Sequence, residues 1–294
     1  MRVSIFVLAT IVSAAPAAAQ LAVSANDGKV KLVNGVAQTV KDGKDTVAVI
    51  DLGLNPPKLV AELDVAASVA GPPTSVAVSP NEAIALVTAA EAFDPADPAK
   101  RVPNDKVTVL DLSPLKVTIV ERAKRMVGKG GDAPAAKPKV LGTLTAGKGA
   151  AGVTFNKAGT LALVTNRAEG TVSVFTVAGT TVTPAGKVDL GNPAAGPSGV
   201  VFTPDGKKAL VTLDGESANK IALLNVDGNK VEHAKRDFNA GLRPYGIDVS
   251  KTGDIAVVAN IGRGQGDADT MSIIDLKAAA PRVVNTVTVG QTPE

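Results

Sequence analysis

The sequence contains no cysteine and no tryptophan, and aromatic residues make up only 2% of it. Without cysteine the chain forms no disulfide, no thiolate nucleophile, no cysteine zinc site and no cysteine-linked haem. The usual precursors of protein-derived quinone cofactors are missing as well. With so few aromatic residues, the core must be built from valine, alanine, leucine and isoleucine.

Histidine is almost absent too, since His233 is the only one. A catalytic triad, a proton relay or a histidine metal site within one chain would have to use it. It lies between Val231 and Lys235 in a predicted outer strand. We therefore expect a solvent-facing side chain without a catalytic role.

Neither sign of charge is in large excess, because 31 Lys and Arg residues face 28 Asp and Glu residues, for a net charge of +3. The basic residues within 122–129 have no interleaved aromatic residues. Stacking platforms and a basic surface are what nucleic-acid binding needs. We therefore predict no nucleic-acid partner.

Long apolar runs are confined to the N-terminus. Met1 and Arg2 precede the apolar run Val3–Val12, and Ala17–Ala19 supplies small residues for a cleavage site. This pattern is typical of a secretory signal peptide. A membrane anchor is the alternative, but it needs about 20 apolar residues. We predict a cleaved signal peptide over residues 1–19, a bacterial periplasmic or secreted product, and no integral membrane segment after cleavage.

A strand–turn–strand pattern recurs along the rest of the chain. In its clearest copy, Val200 and Phe202 alternate with small or polar residues, and Pro204–Gly206 supplies a turn before the next apolar strand. The copies cover residues 73–88, 150–166, 197–212 and 244–260.

The spacing of these copies identifies the architecture. The equivalent residues Leu163, Leu210 and Val257 lie 47 residues apart, whereas Leu86 lies 77 residues before Leu163. A period in the forties with several strands per unit is typical of a β-propeller blade. The fold class is therefore all-β, a propeller of four-stranded antiparallel blades. The longer step indicates insertions, a proline-rich loop at about 90–104 and a second insertion at about 114–138 with a short helix and a loop.

About five blades are present. The strands predicted over Leu21–Asn26, Lys29–Val33, Thr46–Asp51 and Leu59–Leu63 form a partial first blade without an inner strand. Residues Gly290–Pro293 resemble Gly241–Pro244, the segment that precedes the predicted inner strand of the fifth blade. We therefore expect an incomplete ring, with a closed five-bladed ring as the alternative.

Short segments at the ends of the second strands carry a family resemblance. Leu163–Asn166 resembles the Tyr-Val-Thr-Asn signature of the YVTN-type β-propeller repeats, and Val257–Asn260 is a looser version. The resemblance covers nearly all of residues 20–294 and implies a seven-bladed propeller. The family includes binding, lactonase-like and quinoprotein-like electron-transfer proteins, so the resemblance implies no catalytic motif.

The best candidates for a ligand site are Arg243, Tyr245 and Arg167. Arg243 and Tyr245 flank Pro244 at the entry to an inner strand, and Arg167 follows a second strand, so all three are expected on one loop-rich face. Two arginines on one rim favour a small anionic ligand. A structural ion pair between Arg243 and a neighbouring blade is the alternative.

Asp267 and Asp269 lie in a glycine-rich loop between two strands. Their oxygens suit Ca²⁺, but the spacing does not match an EF-hand loop. Aspartate and glycine are also ordinary turn residues. No cofactor is predicted, and Ca²⁺ is the one metal considered.

Three functions remain open from the sequence. The first is a non-enzymatic periplasmic propeller that binds a ligand or a protein partner on its loop-rich face, because no nucleophile–base set is recognisable. The second is a lactonase-like hydrolase. The third is an electron-transfer subunit of the quinoprotein-like kind, for which a partner would have to carry the redox group.

Overall fold

The computed structural model describes residues 21–34, 36–40, 43–69, 74–116, 124, 136–215, 218–263 and 268–290. They fold into antiparallel β-sheets, with a short 3-10 turn at Ser113–Leu115. In these ranges no helix is long and apolar enough to cross a lipid bilayer. The predicted signal peptide lies outside them.

Five sheets follow one another along the chain, and we call them blades 1 to 5. Blade 1 and a hairpin inserted in it comprise β1 (Leu21–Asn26), β2 (Val30–Val33), β3 (Val36–Thr39), β4 (Thr46–Asp51) and β5 (Lys58–Asp64). Blade 2 comprises β6 (Val76–Val78), β7 (Ile84–Asp94), β8 (Asp97–Asp111) and β9 (Lys139–Thr145). Blade 3 comprises β10 (Ala150–Phe155), β11 (Leu161–Asn166), β12 (Thr171–Ala178) and β13 (Thr181–Asp189).

The last two blades follow the same plan. Blade 4 comprises β14 (Pro197–Phe202), β15 (Lys208–Leu213), β16 (Lys220–Asp227) and β17 (Lys230–His233), and the short β18 (Phe238–Asn239) also pairs with β16. Blade 5 comprises β19 (Pro244–Val249), β20 (Ile255–Asn260), β21 (Thr270–Asp275) and β22 (Arg282–Thr288). In blades 2 to 5 consecutive strands are hydrogen-bonded neighbours, so the predicted four-stranded antiparallel blade is confirmed.

Blade 1 has three strands, in the order β1, β4, β5. The side chain of Asn26 in β1 donates to the hydroxyl of Thr46 in β4 at 3.3 Å. The second strands of blades 3 and 5 end on the same pair, with Asn166 donating to Thr171 at 2.9 Å and Asn260 to Thr270 at 3.1 Å. β1 is therefore a second strand, and the described part of blade 1 contains no inner strand, as predicted.

One strand expected in blade 1 lies elsewhere. Residues Lys29–Val33 were expected to belong to the blade, but β2 pairs with β3 in a separate two-stranded hairpin. The ammonium of Lys29 bonds to the carboxylate of Asp45 and to the carbonyl of Ala67, the latter at 3.0 Å. These contacts tie the hairpin to the rim of blade 1 in place of sheet pairing.

The core lies between the blades. Each inner strand of blades 3 to 5 contacts the inner strand before it, and β6 of blade 2 contacts β1. Buried aliphatic side chains fill each junction, for example Leu163 and Val174 of blade 3 against Val200 and Val211 of blade 4. The extensive contacts join consecutive blades, and within the described residues none of them joins blade 5 to blade 1. The blades thus form an arc, in accord with the expected incomplete ring.

The face of blade 5 that points away from blade 4 is open. Leu210 of blade 4 is 0% exposed because blade 5 covers it, whereas the equivalent Val257 of blade 5 is 38% exposed. Ile255 on the same face is 45% exposed. The same repeat position is therefore core in one blade and surface in the next.

The insertion at about 90–104 is ordered as sheet. A proline-rich loop was expected, but β7 and β8 extend beyond the blade as a hairpin arm, in which Phe93 pairs with Arg101 and Glu91 with Pro103. Cross-strand pairing of the flanking residues outweighs the prolines. The second insertion, 114–138, falls largely on residues outside the described ranges, including the predicted helix and loop.

Candidate functional site

Three charged side chains meet on the loop-rich face, where the second strands end and the inner strands begin. Arg167 directly follows β11, Asp214 directly follows β15, and Arg243 directly precedes β19. Arg167 and Asp214 are 47 residues apart, so they occupy the same position of the repeat in blades 3 and 4. We call Arg167, Asp214 and Arg243 the arginine–aspartate cluster.

The first contact of the cluster joins blades 3 and 4. Nη1 of Arg167 lies 2.5 Å from Oδ1 of Asp214 and also donates to the hydroxyl of Ser198. The carboxyl side chain of Asp214 is 0% exposed, and the Arg167 side chain is 32% exposed. A buried carboxylate needs such a partner because burial disfavours an unpaired charge.

The second contact brings in blade 5. Nη2 of Arg243 lies 3.8 Å from Oδ2 of Asp214, which is beyond hydrogen-bond distance, and its side chain is 35% exposed. Arg243 has a φ of 53°, in the left-handed region that non-glycine residues seldom adopt. Its N–H donates to Oδ1 of Asn219 at 3.0 Å, which helps to hold this backbone conformation.

A glycine makes room for the buried carboxylate. Gly196 has a φ of 59°, and a Cβ there would lie 2.9 Å from Oδ1 of Asp214. The N–H of Asp214 donates to the carbonyl of Gly196 at 3.1 Å, and the N–H of Gly215 donates to Ala195 at 2.9 Å. The loop between blades 3 and 4 thus fixes the position of Asp214.

The charges of the cluster do not cancel. Two guanidinium groups surround one carboxylate, which leaves a single positive charge on a half-buried rim. A guanidinium carries five N–H donors, of which Arg167 directs only those on Nη1 to Asp214 and Ser198, and Arg243 makes no hydrogen bond to Asp214. The cluster can therefore present N–H donors to an anion.

A second carboxylate, Glu169, lies on the same loop as Arg167. It accepts hydrogen bonds from the N–H of Lys148 and from the ammonium of Lys187, both at 2.7 Å. Burial raises the pKa of Glu169, but these hydrogen bonds lower it by more, so the pKa lies below its ordinary value. Glu169 is thus already paired within blade 3.

The structure brings together two of the three predicted ligand residues. Arg167 and Arg243 share Asp214, so the structural ion pair considered for Arg243 is present. Tyr245 is half-buried in β19, and its carbonyl accepts a hydrogen bond from the hydroxyl of Thr212 at 2.7 Å. This contact gives the backbone of Tyr245 a role in joining blades 4 and 5.

Of the two predicted metal residues, the structure describes Asp269 only. Asp267 lies outside the described ranges, and Asp269 precedes β21, where its carbonyl accepts from the N–H of Val289 at 3.0 Å. Among the residues with described positions, no group of three or more His, Cys, Asp or Glu side chains could hold a metal ion. Calcium, the metal considered for this loop from the sequence, stays untested.

The prediction that His233 faces solvent is wrong. Its side chain is 6% exposed, and Nε2 lies 2.7 Å from a carboxylate oxygen of Asp237. His233 ends the outer strand β17, whereas the arginine–aspartate cluster lies beside the inner strands. The following chain, where Asp237 lies, turns back over the histidine, which a period-of-two argument does not anticipate.

Sequence reasoning missed Asp214, Ser198 and Asn219. A usable signal was present for Asp214, because it occupies the repeat position of Arg167 with the opposite charge. Ser198 and Asn219 gave none, since serine and asparagine are ordinary residues at turns and strand starts.

No protein-family model and no curated protein matches this chain. Solved structures do. One is a candidate 6-phosphogluconolactonase from Bacteroides uniformis, with a TM-score of 0.62 and 15% identity over 92% of this chain and 71% of that one.

Two further structures extend the comparison. The periplasmic gluconolactonase of Pseudomonas aeruginosa gives a TM-score of 0.56 and 17% identity over 89% of this chain and 76% of that one. Hydrazine synthase from Kuenenia stuttgartiensis gives a TM-score of 0.54 and 19% identity over 76% of this chain and 51% of that one. The match thus spans about half the length of the hydrazine synthase chain. These likenesses show a β-propeller fold. The assignment to YVTN repeats stays a prediction.

Proposed function

We propose that this chain is a lactonase-like propeller that binds a sugar lactone, or the acid into which the lactone opens, on its loop-rich face. The observation that carries the proposal is the convergence of Arg167 and Arg243 on one fully buried carboxylate. Comparison with structures named as lactonases favours this hypothesis over a non-enzymatic scaffold.

The arginines define what the site would recognise. A guanidinium donates two parallel N–H bonds to a carboxylate or phosphate, and such charge-assisted bonds are about twice as strong as neutral ones. Asp214 orients Arg167 through a 2.5 Å contact, so that its remaining donors point in a fixed direction. The site would therefore favour an anionic sugar derivative over a neutral sugar.

The same donors suit the hydrolysis of a lactone. When water attacks the lactone carbonyl, negative charge develops on the carbonyl oxygen. N–H donors already in place stabilise that charge more than they stabilise the neutral ground state. Arg167 and Arg243 would supply those donors. Binding without hydrolysis is the second candidate, since the site residues identified above include no nucleophile–base pair.

We also propose a periplasmic location, as the N-terminal residues predict. One structural neighbour is named as a periplasmic gluconolactonase. The substrate would then be an unphosphorylated or phosphorylated aldonolactone outside the cytoplasm. The electron-transfer hypothesis stays a prediction.

The test measures binding and turnover on the same preparation. Isothermal titration with gluconate reports binding, and loss of glucono-δ-lactone above the uncatalysed rate reports hydrolysis. We expect gluconate to bind, and Arg243→Met to weaken binding about tenfold or more, because a charge-assisted bond contributes roughly 1.5–3 kcal/mol.

Arg236→Met is the matched control, because it removes the same charge from an exposed arginine near the outer edge of blade 4. It should leave binding unchanged. No binding of gluconate by the unmodified chain, or equal loss in both variants, would contradict the proposal. Binding without hydrolysis would leave the second candidate.

A further inference from the structure

Asp214 has one oxygen that the protein does not use. Arg167 donates to Oδ1, but Oδ2 is buried and has no hydrogen-bond partner among the described residues. Arg243 lies 3.8 Å from Oδ2, too far for a hydrogen bond. An unsatisfied buried acceptor is costly, and buried carboxylate oxygens in folded proteins are normally paired.

The described backbone beside Asp214 does not supply the missing donor. The N–H groups of Asp214 and Gly215 donate to the carbonyls of Gly196 and Ala195. The hydroxyl of Ser198 is directed to Arg167 and to the carbonyl of Gly196 at 3.5 Å. Among the described residues, a movement of Arg243 would bring a donor to Oδ2, and a bound ligand would supply one from outside the chain.

Arg243 is the partner that would have to move to expose Oδ2. Its backbone is held by Asn219, but its side chain is 35% exposed and makes a contact with Asp214 that is too long to lock it. A rotation of the guanidinium away from Asp214 would open Oδ2 on one side and would turn N–H donors outward. The site then offers an anion-binding donor and a hydrogen-bond acceptor side by side.

We propose that Asp214 is the specificity-determining residue of this site, and that it selects acids bearing a hydroxyl next to the carboxylate. The carboxylate would bind to Arg243, and the hydroxyl on the neighbouring carbon would donate to Oδ2 of Asp214. The inference rests on the proposed function, because it concerns the same site. The inference adds the class of ligand to the proposed function, namely a 2-hydroxy acid such as an aldonate.

The experiment compares two ligands that differ in one hydroxyl. The unmodified chain is titrated calorimetrically with gluconate and with 2-deoxygluconate. We expect gluconate to bind about tenfold more tightly or better, because the deoxy ligand exposes Oδ2 without giving it a donor. Asp214→Asn replaces one carboxylate oxygen by an amide donor, and we expect this preference to shrink to within about twofold.

The possible outcomes are distinguishable. Equal affinity of the unmodified chain for the two ligands overturns the role of Asp214 and leaves the proposed function standing. No binding of either ligand overturns both. A preference that persists unchanged in folded Asp214→Asn also contradicts the role of Asp214. If that variant does not fold, the two-ligand comparison on the unmodified chain decides.

Discussion

The hydroxyl of Thr165 in blade 3 donates a hydrogen bond to the carbonyl of Ser198 in blade 4 at 2.8 Å. The same hydroxyl accepts the N–H of Gly152 at 2.8 Å, so it joins the inner strands of two blades. Thr212 repeats the arrangement one blade later, accepting from Gly199 at 2.7 Å and donating to Tyr245 at 2.7 Å. Ala259 takes this repeat position in blade 5.

Thr165→Val should therefore destabilise the fold. Valine keeps the shape but leaves the N–H of Gly152 and the carbonyl of Ser198 unpaired in a buried position, at a cost of about 1–3 kcal/mol. The measurement is the free energy of unfolding, obtained from the midpoint and the m value of urea denaturation. Thr286→Val, an exposed strand threonine of β22, is the control and should change stability little. Equal effects of the two substitutions would show that the bridge is not significant.

Gly152 allows the close approach that this bridge requires. A Cβ at Gly152 would lie 2.1 Å from the carbonyl oxygen of Ser198, so Gly152→Ala must push blades 3 and 4 apart. We expect a loss of about 1–3 kcal/mol or more. Gly142→Ala is the matched control, because a Cβ there meets nothing within 4 Å.

Thermal melts of both glycine variants test this prediction. Gly142→Ala should leave stability unchanged within about 0.5 kcal/mol or raise it slightly, since alanine restricts the unfolded chain more than glycine does. A melting temperature for Gly152→Ala equal to that of the unmodified chain would contradict the close approach.

The open face of blade 5 gives a prediction about equivalent positions. Leu210 and Val257 occupy one repeat position, yet Leu210 is 0% exposed and Val257 is 38% exposed. Leu210→Ala leaves a cavity and should cost about 2–5 kcal/mol. Val257→Ala should cost about 1 kcal/mol or less, because solvent already reaches the site. Urea denaturation measures the loss of stability in both variants. Similar losses would show that the face of blade 5 carrying Val257 is covered in solution.

The lowered pKa of Glu169 predicts that the stability of the fold depends on pH. Its pKa is lower in the folded chain than its ordinary value of 4.5, chiefly because hydrogen bonds from Lys187 and Lys148 outweigh the effect of burial. The folded state therefore binds fewer protons at this group, and the stabilisation is present above about pH 4.5. It is lost as the pH falls through the folded-state pKa.

Glu169→Gln should accordingly be less stable than the unmodified chain at pH 7, by under about 1 kcal/mol because the pair is partly exposed. The difference should vanish near pH 3. Urea midpoints at both pH values measure it, and Lys187→Met should show the same trend from the other partner. A difference that is the same at both pH values would refute the role of the ionised pair.

Much of the fold is predictable because it is local and repeated. The 47-residue spacing of Leu163, Leu210 and Val257 correctly identifies second strands, since the three residues lie in β11, β15 and β20. The side chains of Asn166 and Asn260 donate to the hydroxyls of Thr171 and Thr270, at the start of the next strand in the chain. Alternation and turn residues suffice for these assignments because they depend on neighbours in the chain.

The sequence by itself determined the strand–turn–strand units, the absence of an inner strand from the described part of blade 1, and the face on which Arg167 and Arg243 lie. Only the tertiary structure decided that Asp214 lies between them, that the side chain of His233 is buried and that residues 91–103 form an arm. These features depend on contacts between segments whose approach is set by blade packing and cross-strand pairing. A carboxylate 47 residues from its arginine partner becomes a site only when two blades stand side by side.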